Sequence, residues 1–195
     1  MATITFEKII IPYQREELND WKTRDPRVVP SHTLNWNGPG VINGYGYGEW
    51  KAEQYFRQHG YYVFNNDFNL LSKKSKFERF NQCILSMIDS SKIKTFQKTV
   101  QELIKEGYSI ENPDLFVFSL EDFFFAEVKK EKDTLREPQV HFMYLAKQIF
   151  GTESKLVYLS DIDNTVRTEI ITEDLSLPSW IKEIQLHSPD ILQSQ

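Results

Sequence analysis

The chain has 195 residues, 40% of them hydrophobic, 26% charged and 14% aromatic, and carries a net charge of −5. That length suits one domain with its own core, and that composition excludes a disordered, collagen-like or coiled-coil chain. Taken alone, the charge argues against a protein that coats nucleic acid through bulk positive charge.

No run approaches the roughly 18 consecutive apolar residues of a membrane helix, so no membrane partner is expected. The opening Met1–Glu7 lacks the basic-then-apolar order of a signal peptide. Cys83 is the single cysteine. It excludes an internal disulfide or a cysteine-rich zinc site, fits a reducing, cytoplasmic setting, and reads as a small apolar core residue.

Along the chain, residues 1–47 hold Pro12, Pro26, Pro30 and Pro39, then Gly38, Gly40, Gly44 and Gly46, interleaved with Trp21, Trp36, Tyr45 and Tyr47. This reads as an irregular arm that packs its aromatics on the domain. Its glycines lack the spacing of a phosphate-binding loop. Gly48–Gly60 reads as a helix, with Ala52, Tyr55 and Phe56 on one face and Gly60 as the stop. Tyr61–Phe64 has strand character.

Within an insertion at 65–110, two apolar stripes predict a helical hairpin over 72–107. The first is Phe77, Phe80, Ile84, Leu85 and Ile88; the second is Ile93, Phe96, Val100, Leu103 and Ile104. The hairpin segment carries +4, which leaves −9 for the rest. Its lysines read either as a solvated face or as a local phosphate-binding patch.

Asp114–Phe118 and Phe123–Val128 are predicted strands split by a short turn. Pro138 suits a helix start, and the helix runs to Gly151. Lys155–Leu159 and Val166–Ile171 read as further strands. Residues 176–195 form a tail with a short helical stretch near Trp180–Ile184. The order over 48–175 is helix, strand, helical insertion, strand, strand, helix, strand, which predicts an α/β domain around a small mixed sheet.

The chemistry concentrates in Pro113-Asp114 and Glu127-Val128-Lys129. In an antiparallel pair joined by a tight turn, the start of the first strand lies beside the end of the second. Asp114 and Glu127 therefore meet at one edge of the sheet. Glu127 and Lys129 are two apart and share a face. Charged groups at the end of an apolar strand are costly unless paired or metal-bound. Magnesium commonly takes one or two carboxylates with waters and phosphate oxygens, so Asp114 and Glu127 are candidate ligands, with the Val128 carbonyl as a third. A metal there lowers the pKa of a bound water and offsets charge on a phosphate. Lys129 is placed to orient or deprotonate that water, or to stabilise developing charge. Pro-Asp also opens ordinary turns, and Glu127 and Lys129 also suit a solvated edge strand. A second Pro-Asp, Pro189-Asp190, lies in the tail.

At these residues the chain resembles the PD-(D/E)xK nuclease superfamily, nearest its virus-type replication-repair branch (VRR-NUC). Asp114, Glu127 and Lys129 fall on the family's metal-binding and catalytic positions. Gly48-Glu49-x-x-Ala52-x-x-Tyr55-Phe56-x-x-x-Gly60-Tyr61 is similar to its first helix. Glu49 matches that helix's glutamate, with Glu53 as a rival one turn on. Asp133-x-Leu135-x-x-x-Gln139 resembles the asp–leu–gln signature of the branch, with Gln139 facing the site from the first turn of the next helix. Asn112 stands where a glycine is usual, and the insertion of about 45 residues departs from compact members.

The resemblance implies a restriction-endonuclease-like core (helix, three strands, helix, strand) and Mg²⁺- or Mn²⁺-dependent hydrolysis of phosphodiesters, in DNA by preference. Gln139, Lys130, Lys73, Lys74 and Lys76 become candidate substrate contacts, although Lys130 also belongs to a charge run that reads as a solvated turn. A non-catalytic nucleic-acid-binding or scaffold protein of the same fold is the alternative, and a homodimer is allowed.

Overall fold

A computed structural model describes residues 2–30, 44–65, 67–130 and 133–181. Six strands form one mixed sheet: β1 (Ala2–Pro12), β2 (Tyr62–Asn65), β3 (Leu115–Phe118), β4 (Phe123–Lys130), β5 (Ser154–Ser160) and β6 (Arg167–Leu175). Their spatial order is β2-β3-β4-β5-β1-β6. The run β2-β3-β4 is an antiparallel meander, β5 lies parallel to β4, and β1 lies parallel to β5 and antiparallel to β6.

Alternation along the strands divides the core into two layers. Ile9, Ile11, Leu115, Val117, Phe124, Ala126, Val157 and Leu159 face α1 (Arg15–Lys22) and α2 (Tyr47–Gln58). Ile4, Phe6, Phe116, Phe125 and Leu156 face the other way. There α5 (Glu137–Leu145) packs on the sheet and continues into a π-helical turn, Ala146–Phe150. The helical hairpin of the sequence analysis is α3 (Glu78–Met87) and α4 (Ser90–Lys105). It lies over α5, where Phe96 meets Phe142 at 5.5 Å and Phe150 at 4.7 Å between ring centroids. With the sheet on one side and the hairpin on the other, α5 is apolar on nearly every face.

The N-terminal segment differs from the irregular arm expected over 1–47. Ala2–Pro12 is an eleven-residue strand in the interior of the sheet, and Arg15–Lys22 is a helix. The reason is burial on both faces. Ile9, Ile10 and Ile11 are all covered, so the strand shows a continuous apolar run in place of alternation. Pro12 and Pro30 fall at the end of β1 and outside any element. Cys83 is exposed and not a core residue, because Ile84 and Ile88 take the buried stripe of α3 and the loop after it. Trp36, Gly38, Pro39 and Gly40 lie outside the described residues, as do the charge-run residues Glu131 and Lys132 and the second Pro-Asp. Of the helical stretch expected near Trp180–Ile184, a turn over residues 179–181 is described. Among the described residues no helix is long and apolar enough to cross a membrane.

Ile11 lies 4% exposed under α1 and α2. Ile11→Ala is expected to cost about 2–4 kcal/mol in urea unfolding, where a residue of an irregular arm would change it by about 0.5 kcal/mol or less.

Candidate functional site

β4 outruns β3. The last residues of the two strands to pair are Ala126 with Leu115, and β4 then continues against β5 as far as Lys130. Asp114, one residue before β3, thus stands opposite Glu127. Its Oδ2 accepts the Val128 N–H at 2.9 Å, taking the place of the backbone acceptor that β3 no longer supplies. The N–H and C=O of a strand residue leave on the same side, so the Val128 carbonyl also projects toward the end of β3.

Glu127 and Lys129 point to the α5 face and are 1% and 8% exposed. The Lys129 Nζ donates to Glu127 Oε1 at 2.7 Å. From the first turn of α5, Gln139 Nε2 donates to the same oxygen. Gln139 Oε1 accepts the Arg136 N–H at 3.0 Å, and that bond decides which end of the amide faces Glu127. Both donors converge on Oε1. The other oxygen, Oε2, is buried and accepts no hydrogen bond among the described residues.

Asp114 lies near enough for its charge to act on Glu127. Burial raises the pKa of each above the carboxylate range. For Glu127 burial is the largest cause and the Asp114 charge adds to it, against the opposing pull of Lys129; together they push it up to about 8. The pair cannot hold two full charges cheaply without a cation.

Glu49 joins from the opposite layer. Gly48 lets α2 approach the sheet: a Cβ there would lie 3.2 Å from Val128 Cγ1 and 3.4 Å from Leu159 Cδ1. The next residue, half-buried Glu49, has its pKa raised by burial and then by the Asp114 charge. Lys129 and Lys130 both draw it down. Glu53, the rival, holds Arg57 at 2.8 Å and Asn65 at 2.9 Å. Lys130 has the opposite parity from Lys129 and lies on the α2 side, beside the turn at Gly44.

Lys73, Lys74 and Lys76 are exposed in the segment leading into α3. Among the described residues no hydrogen bond or ion pair joins them to these acids. Asn112, in the place of the usual glycine, is a clamp. Its Oδ1 accepts the Leu70 N–H at 2.9 Å and its Nδ2 donates to the Pro113 carbonyl at 2.8 Å, which fixes the start of the insertion to the entry of β3. Nothing in the residue spacing announced that role, nor the Asp114 bond to the Val128 amide. His141 takes a packing role, with Nδ1 2.8 Å from the Ser109 carbonyl.

Among the described residues no group of three or more His, Cys, Asp or Glu side chains is gathered as a ready metal cage. Asp114 and Glu127 form a pair, with Glu49 felt through its charge. A pair with one unbonded oxygen fits magnesium or manganese, which take one or two carboxylates and complete their shell with water and phosphate oxygens. No family model, curated protein or solved structure gives a significant match to the chain.

Two measurements test the electrostatics. The folded protein keeps the Glu127 proton from its ordinary value of 4.5 up to about 8, a window in which the unfolded glutamate has lost it. Metal-free stability is therefore expected to fall as pH rises through that window, and Glu127→Gln to flatten the fall, in urea titrations at its two ends. Gln139→Ala removes a donor to Glu127 and a cap of α5 together, with an expected loss of about 1–3 kcal/mol in the same titrations.

Proposed function

We propose that the protein is a metal-dependent nuclease that hydrolyses phosphodiester bonds, in DNA by preference, with Mg²⁺ or Mn²⁺. The observation that carries this reading is the meeting of Asp114 and Glu127 with Lys129 at one end of the sheet, with Glu127 Oε2 buried and accepting no hydrogen bond among the described residues. Two neighbouring buried carboxyls whose charges oppose each other have a use for a divalent cation between them. The chain path adds support. From α2 onward, the elements beside the insertion run helix, three meander strands, helix and parallel strand, the order of the restriction-endonuclease-like core that the motif resembles.

Asp114 and Glu127 would hold the cation, with the Val128 carbonyl beside them. When bound, the cation supplies charge neutralisation at the scissile phosphate and an acidified water. Lys129 places its ammonium next to Glu127 Oε1, where it can stabilise charge developing on the phosphate or orient the attacking water, or, as the neutral amine, take that water's proton. Gln139 keeps Glu127 oriented through Oε1. Glu49 adds negative charge from the α2 side and raises the pull for a cation. The Lys73–Lys76 patch is a candidate for longer-range phosphate contact, as its positive charge lies within a segment of net +4.

Asp114→Ala and Lys129→Ala are each expected to lower Mn²⁺-dependent cleavage of plasmid, flap, junction and single-stranded substrates at least about a hundredfold, with far-ultraviolet circular dichroism unchanged. Wild-type cleavage persisting in both variants would overturn the assignment. In calorimetry the wild type is expected to bind Mn²⁺ and Asp114→Ala to lose that heat. Because the proton and the metal compete for one pair, Mn²⁺ affinity should rise with pH and binding should release protons. A non-catalytic scaffold of the same fold would show neither.

A further inference from the structure

We propose that the cavity between α2 and β2 is a stacking pocket for an unpaired nucleobase, so that the strand presented to Asp114 and Glu127 is single-stranded at the point of cleavage. The inference rests on the nuclease reading and names its substrate class. The cavity measures about 770 Å³, within the range of small-ligand sites. Its walls are Tyr45, Trp50, Phe64 and Phe80, with the amides of Gln54 and Asn65 between them.

The position ties it to the acidic pair. Tyr45 sits between Gly44 and Gly46, both at φ 78°, a conformation that suits glycine. This turn leaves the Tyr45 ring 57% exposed and leads directly into α2 and Glu49. A Cβ at Gly44 would meet Lys130 Nζ at 3.4 Å, so the turn touches the flank of the site. The charges of Glu49 and Asp114 reach the Tyr45 hydroxyl and, after burial, raise its pKa. The cavity therefore lies within reach of the acidic site's charges.

The lining chemistry favours an aromatic ring over a phosphate. Arg57 in this cavity is paired with Glu53 at 2.8 Å, and Glu53 also accepts from Asn65 at 2.9 Å. On the α2 side Tyr45 and Trp50 offer ring faces for stacking, and the Gln54 amide offers a donor and an acceptor for a base edge. The faces are held in place: Trp50 packs on Trp21 at 5.3 Å, and Phe64 on Phe80 at 5.0 Å. A base inside an intact duplex cannot enter such a pocket without leaving its stack.

The test is fluorescence anisotropy in EDTA, where no cation is present and cleavage plays no part. The probes are labelled oligothymidylate, the same strand with one abasic residue, and a duplex of equal length. Tyr45→Ala keeps the backbone carbonyl that accepts Trp21 Nε1 at 3.0 Å, and near-ultraviolet circular dichroism checks its packing. Gln54→Ala is the second variant. Tyr45→Ala should bind oligothymidylate about 5- to 100-fold more weakly than wild type, Gln54→Ala should also bind it more weakly, and both should bind duplex unchanged. The abasic residue should cost the wild type a similar factor and Tyr45→Ala nothing. Unchanged oligothymidylate affinity in both variants, or an equal loss on duplex, overturns the pocket. Cleavage in Mn²⁺ is scored separately. The affinity pattern without any wild-type cleavage overturns the nuclease reading alone, and cleavage without the pattern overturns the pocket alone.

Discussion

Everything at the candidate site follows from a mismatch in strand length. β3 begins only at Leu115, opposite Ala126, while β4 continues to Lys130 along β5. The ladder on that side of β4 has lost its backbone partner, and the Asp114 side chain supplies one at Val128. That bond brings Asp114 against Glu127, whose environment is apolar. Two acids in that position need compensation. Lys129 and Gln139 give part of it, both to the same oxygen. Among the described residues no other side chain donates to Glu127.

The surrounding elements serve that end of the sheet. Gly48 lets α2 lie close enough to β4 and β5 to carry Glu49 to Asp114. Gln139 Oε1 accepts the Arg136 N–H at the start of α5 and fixes its first turn over Glu127. Behind them, the α3–α4 hairpin buries the outer face of α5, so the helix that positions Gln139 is held from two sides. Asn112 ties Leu70, near the start of the insertion, to the Pro113 carbonyl at the entry of β3. The insertion is therefore part of the scaffold that sets the acids; Lys73, Lys74 and Lys76 are exposed on it, while Lys92 reaches back to the Phe150 carbonyl at 3.2 Å.

Legibility varied with the kind of constraint. The strand pair and its two carboxylates could be read directly, because a tight turn and a period of two leave little freedom in where Asp114, Glu127 and Lys129 fall. Gln139 was legible through Pro138, which marks a helix start. β1 was not legible: a strand covered on both faces shows no alternation, and its parallel partner β5 lies about 150 residues away. Cys83 was misread because a stripe of apolar residues leaves its neighbours' burial open. Glu49 and Glu53 were equivalent as spacing on a helix, and what separates them is a partner in space, since Arg57 and Asn65 occupy Glu53.

Local spacing settled which residues carry charge onto the apolar strands and which faces they share, because strand and helix periods are properties of the backbone itself. Only the tertiary structure decided how far β4 outruns β3, that β1 completes the sheet beyond β5, and that both donors to Glu127 choose one oxygen. Those features depend on pairing between segments far apart in sequence and on how much water is excluded when they meet. The −5 net charge looks different in that light. Part of it is concentrated in the buried and half-buried acids Asp114, Glu127 and Glu49, which the fold brings to one end of the sheet.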